Sequence, residues 1–228
     1  MIEEMEISLF IDHTLLKAGA TNQEIEQLCQ EAMEYKFAAV CVNPNYVQLC
    51  NELLTESDVK VCTVIGFPLG ANKTEVKVFE AEQAIQDGAE EIDYVVNISD
   101  VKNDDFEAVK VEMQKILEVK KDFPALLVKI ILEVCYLTDL EIGKISKIAK
   151  ECGIDFVKTS TGFGNGGATE EAVKIMSEMA GEHVKVKASG GVRTLTDAKN
   201  YISLGVSRIG TSNGISIVKG EVASTISY

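Results

Sequence analysis

The sequence predicts an α/β fold, a single-domain TIM (β/α)8 barrel over residues 1–228. Three observations favour this fold. Short runs rich in β-branched residues alternate with stretches of helical period, several of those stretches end at a glycine just before the next run, and the run recurs eight times. Eight such units in about 200 to 250 residues are typical of small closed barrels. No linker rich in proline, glycine or serine divides the chain, so we expect one catalytic domain.

Eight segments are predicted as strands because β-branched and aromatic residues dominate them and turn-forming residues bound them. They are ISLFID (7–12), FAAVCV (37–42), VKVCTVIG (59–66), AEEIDYVV (89–96), LLVKIILEV (126–134), IDFVKTS (154–160), VKVKAS (184–189) and VSRIGT (206–211). We expect these strands to be parallel, because the segments between them are long enough for the crossover of a dozen or more residues that parallel strands need.

Six segments between the strands have the apolar spacing of amphipathic helices. They cover residues 22–35, 73–87, 104–121, 139–152, 169–180 and 195–204. Two of them begin with a capping-box pattern, Thr21 with Glu24 and Thr138 with Glu141. In this pattern the threonine and glutamate side chains each accept a backbone N–H that the first turn leaves unpaired.

Gly88, Gly153 and Gly205 each stand between a predicted helix and the next strand. Glycine at this place is typical of a helix that ends in the left-handed conformation. The same β–α rhythm also allows an open, doubly wound sheet. No GxGxxG turn follows the first strand, so no dinucleotide-binding pattern supports the open form, and we prefer the closed barrel.

The composition restricts the partners of the protein. The formal net charge of -14 and the lack of a basic stripe argue against nucleic acid. No apolar run approaches the roughly 20 residues that span a bilayer, and the acidic start of the chain is unlike a secretory signal, so we expect a cytoplasmic protein that binds no membrane. The six cysteines are scattered and the two histidines are far apart, which predicts reduced thiols and no metal site. Cys62 and Cys135 are predicted to be small core residues.

Ligands bind at the carboxyl ends of the strands in both architectures, which gives a positional criterion for site residues. The polar residues that meet it are Asp12, His13, Cys41, Asn43, Asp93, Asn97, Lys129, Glu133, Lys158 to Thr161, Lys187, Ser189, Thr211 and Ser212. The lysines among them are the most informative. In a strand covered on both faces, a lysine must either reach solvent or point into the barrel, where its charge is costly.

Lys158 and Lys187 lie on consecutive predicted strands. Adjacent strands are about 4.8 Å apart, so the two ammonium groups could meet inside the barrel. A salt-bridged or solvent-reaching side chain is the alternative for Lys158. Burial and a cationic neighbour would lower the pKa of Lys158 from about 10.4 towards 7, a change of about 4 kcal/mol. Because a neutral amine is a nucleophile, the pair predicts Schiff-base chemistry on a carbonyl substrate.

Two further features complete the predicted site. Asp93 in EIDYVV is placed to move protons, as Schiff-base chemistry requires, although a capping or ion-paired carboxylate is the alternative. The glycine-rich segments SGGVRT and GTSNG follow the seventh and eighth strands, where barrels commonly bind phosphate through backbone N–H groups. The sequence therefore predicts a small aldehyde or ketone substrate that carries a phosphate.

Nine segments resemble those of the deoxyribose-phosphate aldolase family, in the order of that family. They are IDHTLLKAGAT, CVNP, VCTVIGFPLG, EIDYVVNI, VKIILEV, FVKTSTGF, GGAT, VKASGGVRT and IGTSNG, from about residue 8 to residue 214. The resemblance implies a class I aldolase on a TIM barrel that needs no metal or other cofactor. It would cleave 2-deoxy-D-ribose 5-phosphate reversibly into D-glyceraldehyde 3-phosphate and acetaldehyde through a lysine Schiff base.

The resemblance also assigns roles. By similarity, Lys158 is the Schiff-base nucleophile, Lys187 is the residue that lowers its pKa, and Asp93 is the proton relay. The substrate-pocket and phosphate-site positions of the family fall on Asp12, Cys41, Lys129, Gly162, Gly190, Gly191, Gly210 and Ser212. Asn165 lies in a loop that often carries serine or threonine, which leaves the fine substrate preference open.

Two other functions are compatible with the same barrel. One is a phosphosugar isomerase that uses a carboxylate base without a covalent adduct, and the other is a non-catalytic sugar-phosphate sensor. The expected partners are a phosphosugar and a second copy of the chain, since a homodimer is the commonest assembly. The C-terminal Tyr228 could fold over the pocket and move protons, or it could be a frayed end.

Overall fold

The computed structural model describes residues 7–221. Its eight strands are parallel and pair in sequence order, and the last strand pairs with the first, so the sheet closes into a barrel. The strands are β1 Ile11–Leu15, β2 Ala39–Val42, β3 Lys60–Ile65, β4 Glu91–Val95, β5 Leu127–Ile131, β6 Phe156–Lys158, β7 Lys185–Ser189 and β8 Arg208–Thr211. The predicted TIM barrel is confirmed. The open sheet is excluded because β1 and β8 are hydrogen-bonded to each other.

Helices connect the strands on the outside of the barrel. They are α1 Asn22–Glu34, α2 Val47–Leu53, α3 Thr74–Gln86, α4 Ile98–Lys102, α5 Phe106–Glu118, α6 Asp139–Cys152, α7 Glu170–Ala180, α8 Leu195–Ser203 and α9 Gly214–Lys219. All six predicted helices are present, whereas α2, α4 and α9 were not predicted because they have only 7, 5 and 6 residues. Within residues 7–221, no helix has the length and apolar character needed to cross a membrane.

The local signals at helix ends are observed in the structure. Thr21 and Thr138 form the predicted capping boxes at the starts of α1 and α6. At the end of α6, Gly153 has φ 82° and ψ 33°, the left-handed conformation expected of a terminal glycine. These signals explain why α6 has its predicted bounds.

Two sequence-based predictions are wrong. Residues 7 and 8 are helical, and β1 begins only at Ile11. Ile7 and Ile11 are both fully buried, and their spacing of four residues suits a helical turn as well as it suits a strand. Cys135 is exposed in the turn after β5, so it is not a core residue.

The strands separate two different interiors. Outside the barrel wall, apolar side chains of the strands pack against those of the helices, and we call this layer the outer core. It includes Ile92, Val128, Ile130, Val157 and Val186 from the strands, and Met113, Ile116, Ile145, Val173 and Met176 from the helices. Inside the barrel, a small apolar group formed by Ala39, Cys41, Cys62 and Val64 covers only the β2–β3 side. The remaining strands fill the interior with charged side chains.

Candidate active site

Six neighbouring strands direct charged side chains into the barrel. We call this set the inner cluster. Its members are Asp12 of β1, Glu91 and Asp93 of β4, Lys129 of β5, Lys158 of β6, Lys187 of β7 and Arg208 of β8. Alternate residues of a strand face opposite sides, so the residues between these charges, such as Ile92 and Val157, belong to the outer core. Arg208 has the most exposed side chain of the cluster, at 12%.

Asp93 lies at the centre of the inner cluster. Its Oδ2 accepts hydrogen bonds from Lys158 Nζ at 2.8 Å and from Lys187 Nζ at 2.7 Å. Its Oδ1 accepts from Lys129 Nζ at 2.9 Å and from the Cys62 thiol at 3.2 Å. Burial raises the pKa of Asp93, but the charges of the three lysines outweigh burial and hold this pKa well below its usual value. Asp93 is therefore an anion at neutral pH.

Lys158 and Lys187 point to the same side of the barrel wall, because both contact the same oxygen of Asp93. Lys187 Nζ also lies 2.5 Å from Asp12 Oδ2. Burial lowers the pKa of Lys187, but Asp12 and Asp93 raise it further, and the result is a pKa well above the usual value. Lys187 is thus a lasting positive charge beside Lys158. The sequence analysis did not foresee that a carboxylate joins the two amines.

The other members of the cluster form ion pairs with one another and with Asp12. Arg208 contacts both Asp12 and Glu91, and Lys129 Nζ lies 2.5 Å from Glu91 Oε2. Burial raises the pKa of Asp12, but Lys187 and Arg208 lower it to about 2. Sequence reasoning missed Glu91 and Arg208. Each stands two residues before a predicted site residue on the same strand, so the alternation of a strand could have identified both.

Cys41 and Cys62 are paired across β2 and β3 on the opposite wall of the barrel. Together with Asp93 they bring possible ligand atoms within 4.8 Å of one another, which is close enough for a metal ion. However, the oxygens of Asp93 already accept from three ammonium groups, and the positive charge of Lys129 and its neighbours opposes a cation here. The electrostatics fit amine chemistry better than metal binding.

Glycine-rich loops enclose a cavity of about 270 Å³ at the carboxyl ends of β6, β7 and β8. It is lined by Gly162, Gly164, Asn165, Gly166, Gly167, Gly190, Gly191, Val192, Arg193, Ser212 and Asn213. Gly190 and Gly191 both have φ 81°, which favours glycine at each position. Arg193 is the charged residue of this lining, and it was missed although it lies in the segment SGGVRT. A small cavity with backbone amides and one guanidinium suits an anion.

Gly210 lies elsewhere. It belongs to β8 and is not among the residues that line the glycine-rich cavity. A Cβ atom at this position would lie 3.0 Å from Ser189 Cβ and 3.1 Å from Lys187 Cε. Glycine therefore makes room for the Lys187 side chain.

A larger cavity of about 490 Å³ lies between the end of β1 and α1. His13, Lys17 and Glu31 are among its lining residues, and His13 Nε2 contacts Glu31 Oε2 at 2.7 Å. Ser212 lines both cavities, so they are neighbours. No member of the inner cluster is among the residues that line this larger cavity or the glycine-rich one.

Comparisons with known proteins identify the family and the fold. The family model described as DeoC/LacD family aldolase matches residues 7–220. A deoxyribose-phosphate aldolase of Thermoanaerobacter sp. (strain X514) is 56% identical over 215 residues, covering 94% of this chain and 96% of the relative. The one from Thermococcus gammatolerans is 52% identical over 218 residues, covering 95% and 96%. The solved tetrameric deoxyribose phosphate aldolase from Aeropyrum pernix has a TM-score of 0.88 at 33% identity, covering 95% and 91%.

Proposed function

The chain belongs to the DeoC/LacD family of aldolases, and we propose that it cleaves 2-deoxy-D-ribose 5-phosphate reversibly into D-glyceraldehyde 3-phosphate and acetaldehyde, with Lys158 as the nucleophile. The single observation that carries this proposal is the contact of Lys158 and Lys187 with one oxygen of Asp93 inside the barrel. It combines an amine, a lasting cation and a carboxylate at the end of the barrel where ligands bind.

The charge balance of the inner cluster supports Lys158 as the nucleophile. Its three carboxylates, those of Asp12, Glu91 and Asp93, face four basic groups, so full ionisation leaves one positive charge uncompensated in a buried site. Lys129 and Lys187 each contact two carboxylates, and an arginine does not lose its proton. In the described part of the chain, Lys158 has an ion pair only with Asp93. Lys158 is therefore the basic group of the cluster with the fewest carboxylate partners, and we assign the nucleophile to it.

The reaction follows from that amine. Lys158 Nζ adds to the C1 aldehyde of the open-chain sugar, and loss of water gives an iminium ion. The C2–C3 bond breaks, its electron pair moves into the C1–C2 bond of an enamine, and the C3 hydroxyl loses a proton to become the carbonyl of glyceraldehyde 3-phosphate. Protonation at C2 and hydrolysis of the imine then release acetaldehyde and restore the amine.

Asp93 is the proposed proton carrier in these steps, acting through water. Three neighbouring cations hold its pKa low in the resting site. When the Lys158 nitrogen becomes part of the neutral enamine, one of those charges is removed, so Asp93 accepts a proton more readily at that moment. Lys187 stays charged throughout and makes the protonated form of its neighbour costlier.

The glycine-rich cavity is the proposed site of the substrate phosphate. Gly162, Gly190, Gly191 and Ser212 line it, and we add Arg193 as its cation. The other predicted substrate-binding residues receive adjusted roles. Asp12, Cys41 and Lys129 are fully buried, so we propose that Asp12 and Lys129 act on the substrate through Lys187 and Asp93, and that Cys41 contacts it only deep in the barrel. Gly210 is assigned to accommodate Lys187.

Reductive trapping tests the proposal. Incubation with acetaldehyde and borohydride should add an ethyl group of about 28 Da to Lys158, because the reductant converts the imine to a stable amine. Peptide mass spectrometry locates the adduct. Lys185→Met is the matched control, since Lys185 is an exposed lysine at the opposite end of β7 from the site, and this variant should still form the adduct. An isomerase or a sensor would form none, and an adduct on another residue would contradict the assignment.

Three further expectations belong to this proposal. We propose that the whole chain is one cytoplasmic catalytic domain and that it forms a homodimer. Because the Aeropyrum pernix relative is tetrameric, a mass determination by light scattering at working concentration distinguishes a dimer from a tetramer.

Tyr228 lies outside the described residues. We propose to test its part in proton transfer with Tyr228→Phe, by measuring the exchange of solvent deuterium into acetaldehyde.

A further inference from the structure

Glu133 combines burial with an unusual backbone conformation. It lies two residues after the end of β5, is 2% exposed, and has φ 55° and ψ 63°. Lys36 and Asp104 are the other non-glycine residues of the described chain with positive φ, and both are exposed. A left-handed conformation is unfavourable for a residue with a Cβ atom, and in a buried residue it commonly marks a functional constraint.

The ladder between β5 and β6 has an extra residue at this point. The N–H of Leu132 donates to Lys158 O at 2.9 Å, and the N–H of Val134, two residues on, donates to the carbonyl of the very next residue, Thr159, at 3.0 Å. Glu133 is the unpaired residue between these two bonds, as in a β-bulge. A bulge turns a side chain in a new direction. Here it lies beside the end of the strand that carries the nucleophile.

The Glu133 carboxylate holds Thr161. Its oxygens accept from the backbone N–H of Thr161 at 3.3 Å, and Oε2 also accepts from the Thr161 hydroxyl. Burial raises the pKa of Glu133, against the hydrogen bonds from Thr161 and the charge of Lys158. The Glu133 carboxylate therefore interacts electrostatically with Lys158. It also accepts hydrogen bonds from Thr161, which lies three residues after Lys158 in the chain.

The same turn supports the glycine-rich loop, residues 162–167. A Cβ atom at Gly164 would lie 2.9 Å from Cys135 Sγ and 3.1 Å from Glu133 Cδ, and one at Gly166 would lie 2.9 Å from Cys135 Cβ. The loop therefore lies against residues 133–135 with no space for larger side chains. Four glycines of this loop line the cavity assigned to phosphate.

We propose that Glu133 is a positioning residue that ties Thr161 and the glycine-rich loop to the end of β5, and so sets the distance between Lys158 and the phosphate cavity. This inference rests on the proposed function, because it assumes that one substrate reaches both places. Glu133 does not touch the reacting atoms in this account.

Glu133→Gln tests the role, since glutamine keeps the size but offers one acceptor oxygen for two Thr161 donors. We expect kcat/KM for 2-deoxyribose 5-phosphate to fall about 10- to 100-fold, the scale of one lost hydrogen bond to a charged group. For 2-deoxyribose, which has no phosphate to place, we expect a change of less than about 3-fold. If kcat/KM falls by the same factor for both substrates, the variant has loosened the barrel in general and the proposal is overturned. The proposal is also overturned if kcat/KM changes for neither substrate.

Two further variants keep the test decisive. Thr161→Val removes the hydroxyl donor from the other side and should shift the same ratio, and the double variant should be no worse than the more affected single one. This variant decides the question if Glu133→Gln does not fold. Glu141→Gln is the matched control, because Glu141 accepts from Thr138 N–H and Oγ1 in the same way at the exposed start of α6. It should leave the ratio of the two substrates unchanged.

Acetaldehyde trapping separates this inference from the proposed function. The Lys158 adduct should form in wild type and in Glu133→Gln, since acetaldehyde does not use the phosphate cavity. If wild type forms no adduct, the proposed function fails. If the adduct forms but the substrate ratio is unchanged, only the role of Glu133 fails.

Discussion

The outer core and the inner cluster lie on opposite faces of the same strands, and they differ in almost every physical respect. The outer core is apolar and packs strand against helix, and each buried Å² contributes about 25 cal/mol to stability. The inner cluster instead buries seven ionisable side chains. Removing charges from water costs several kcal/mol each, and pairing them often does no more than offset that cost. The comparison teaches that one face of each strand stabilises the barrel and the other serves the chemistry.

The largest effect should come from the nucleophile. Lys158→Met should lower kcat by more than about 10⁴-fold, the scale observed when a covalent nucleophile is removed. The free energy of unfolding should change by less than about 1 kcal/mol, because the variant removes the uncompensated cation of the cluster. Steady-state kinetics and urea unfolding measure the two quantities. A large loss of stability with intact turnover would show that the inner face is structural after all.

The outer core should give the opposite result. Met113 is fully buried on α5, so Met113→Ala should cost about 2 to 5 kcal/mol through lost burial and a cavity. At a temperature where the variant is folded, kcat should stay within about 2-fold of wild type, because no contact of the inner cluster changes. Val111→Ala on the same helix is the control, since Val111 is 38% exposed and surface changes usually cost less than about 0.5 kcal/mol. A kcat that falls 10-fold or more in folded Met113→Ala would contradict the separation of the two faces.

The sequence predicted some element boundaries correctly and others wrongly, depending on the local signals present. Local signals were sufficient for α6, where a capping box and Gly153 mark both ends. They were insufficient at the first strand, because an apolar spacing of four at Ile7 and Ile11 fits a helical turn and a strand equally well. The sequence therefore predicted the barrel and most of its helices, but not every boundary.

The site shows the same limit at longer range. The candidates Lys158, Lys187 and Asp93 could be selected because each lies near the end of a predicted strand. The low pKa of Asp93 could not be predicted, since it depends on three lysines that β5, β6 and β7 bring to one carboxylate. Contacts between strands fix the protonation states, and a single strand contains no information about its partner's side chains.

A change at Lys187 sharpens the electrostatic part of the comparison. Lys187→Met removes the lasting cation beside the nucleophile, so adduct formation with acetaldehyde should require a pH higher by about 1 to 3 units. The measurement is the trapping rate between pH 5 and 10. Lys185→Met, on the exposed end of the same strand, should keep the wild-type profile. An unchanged profile in Lys187→Met would remove the reason for placing two lysines together.

The smallest expected effect is on the free energy of unfolding at acid pH. The inner cluster should make this free energy depend on pH, whereas the outer core should not. The pKa of Asp12 is about 2 in the folded protein against an ordinary value of 3.8. A depressed pKa contributes stability that is present above 3.8 and is lost as the pH falls towards about 2. The contribution is about 2 kcal/mol. Urea unfolding between pH 5 and 2 should therefore show a decline in wild type that includes this amount.

Asp12→Asn should be less stable than wild type at pH 7, because Lys187 and Arg208 lose a charged partner, but its decline towards pH 2 should be shallower by about 2 kcal/mol. Met113→Ala should be less stable by the same amount at every pH, since burial of an apolar side chain does not titrate. If Asp12→Asn declines as steeply as Met113→Ala, carboxylates outside the barrel interior cause the acid lability. The inner cluster would then contribute to catalysis without contributing to the pH dependence of folding.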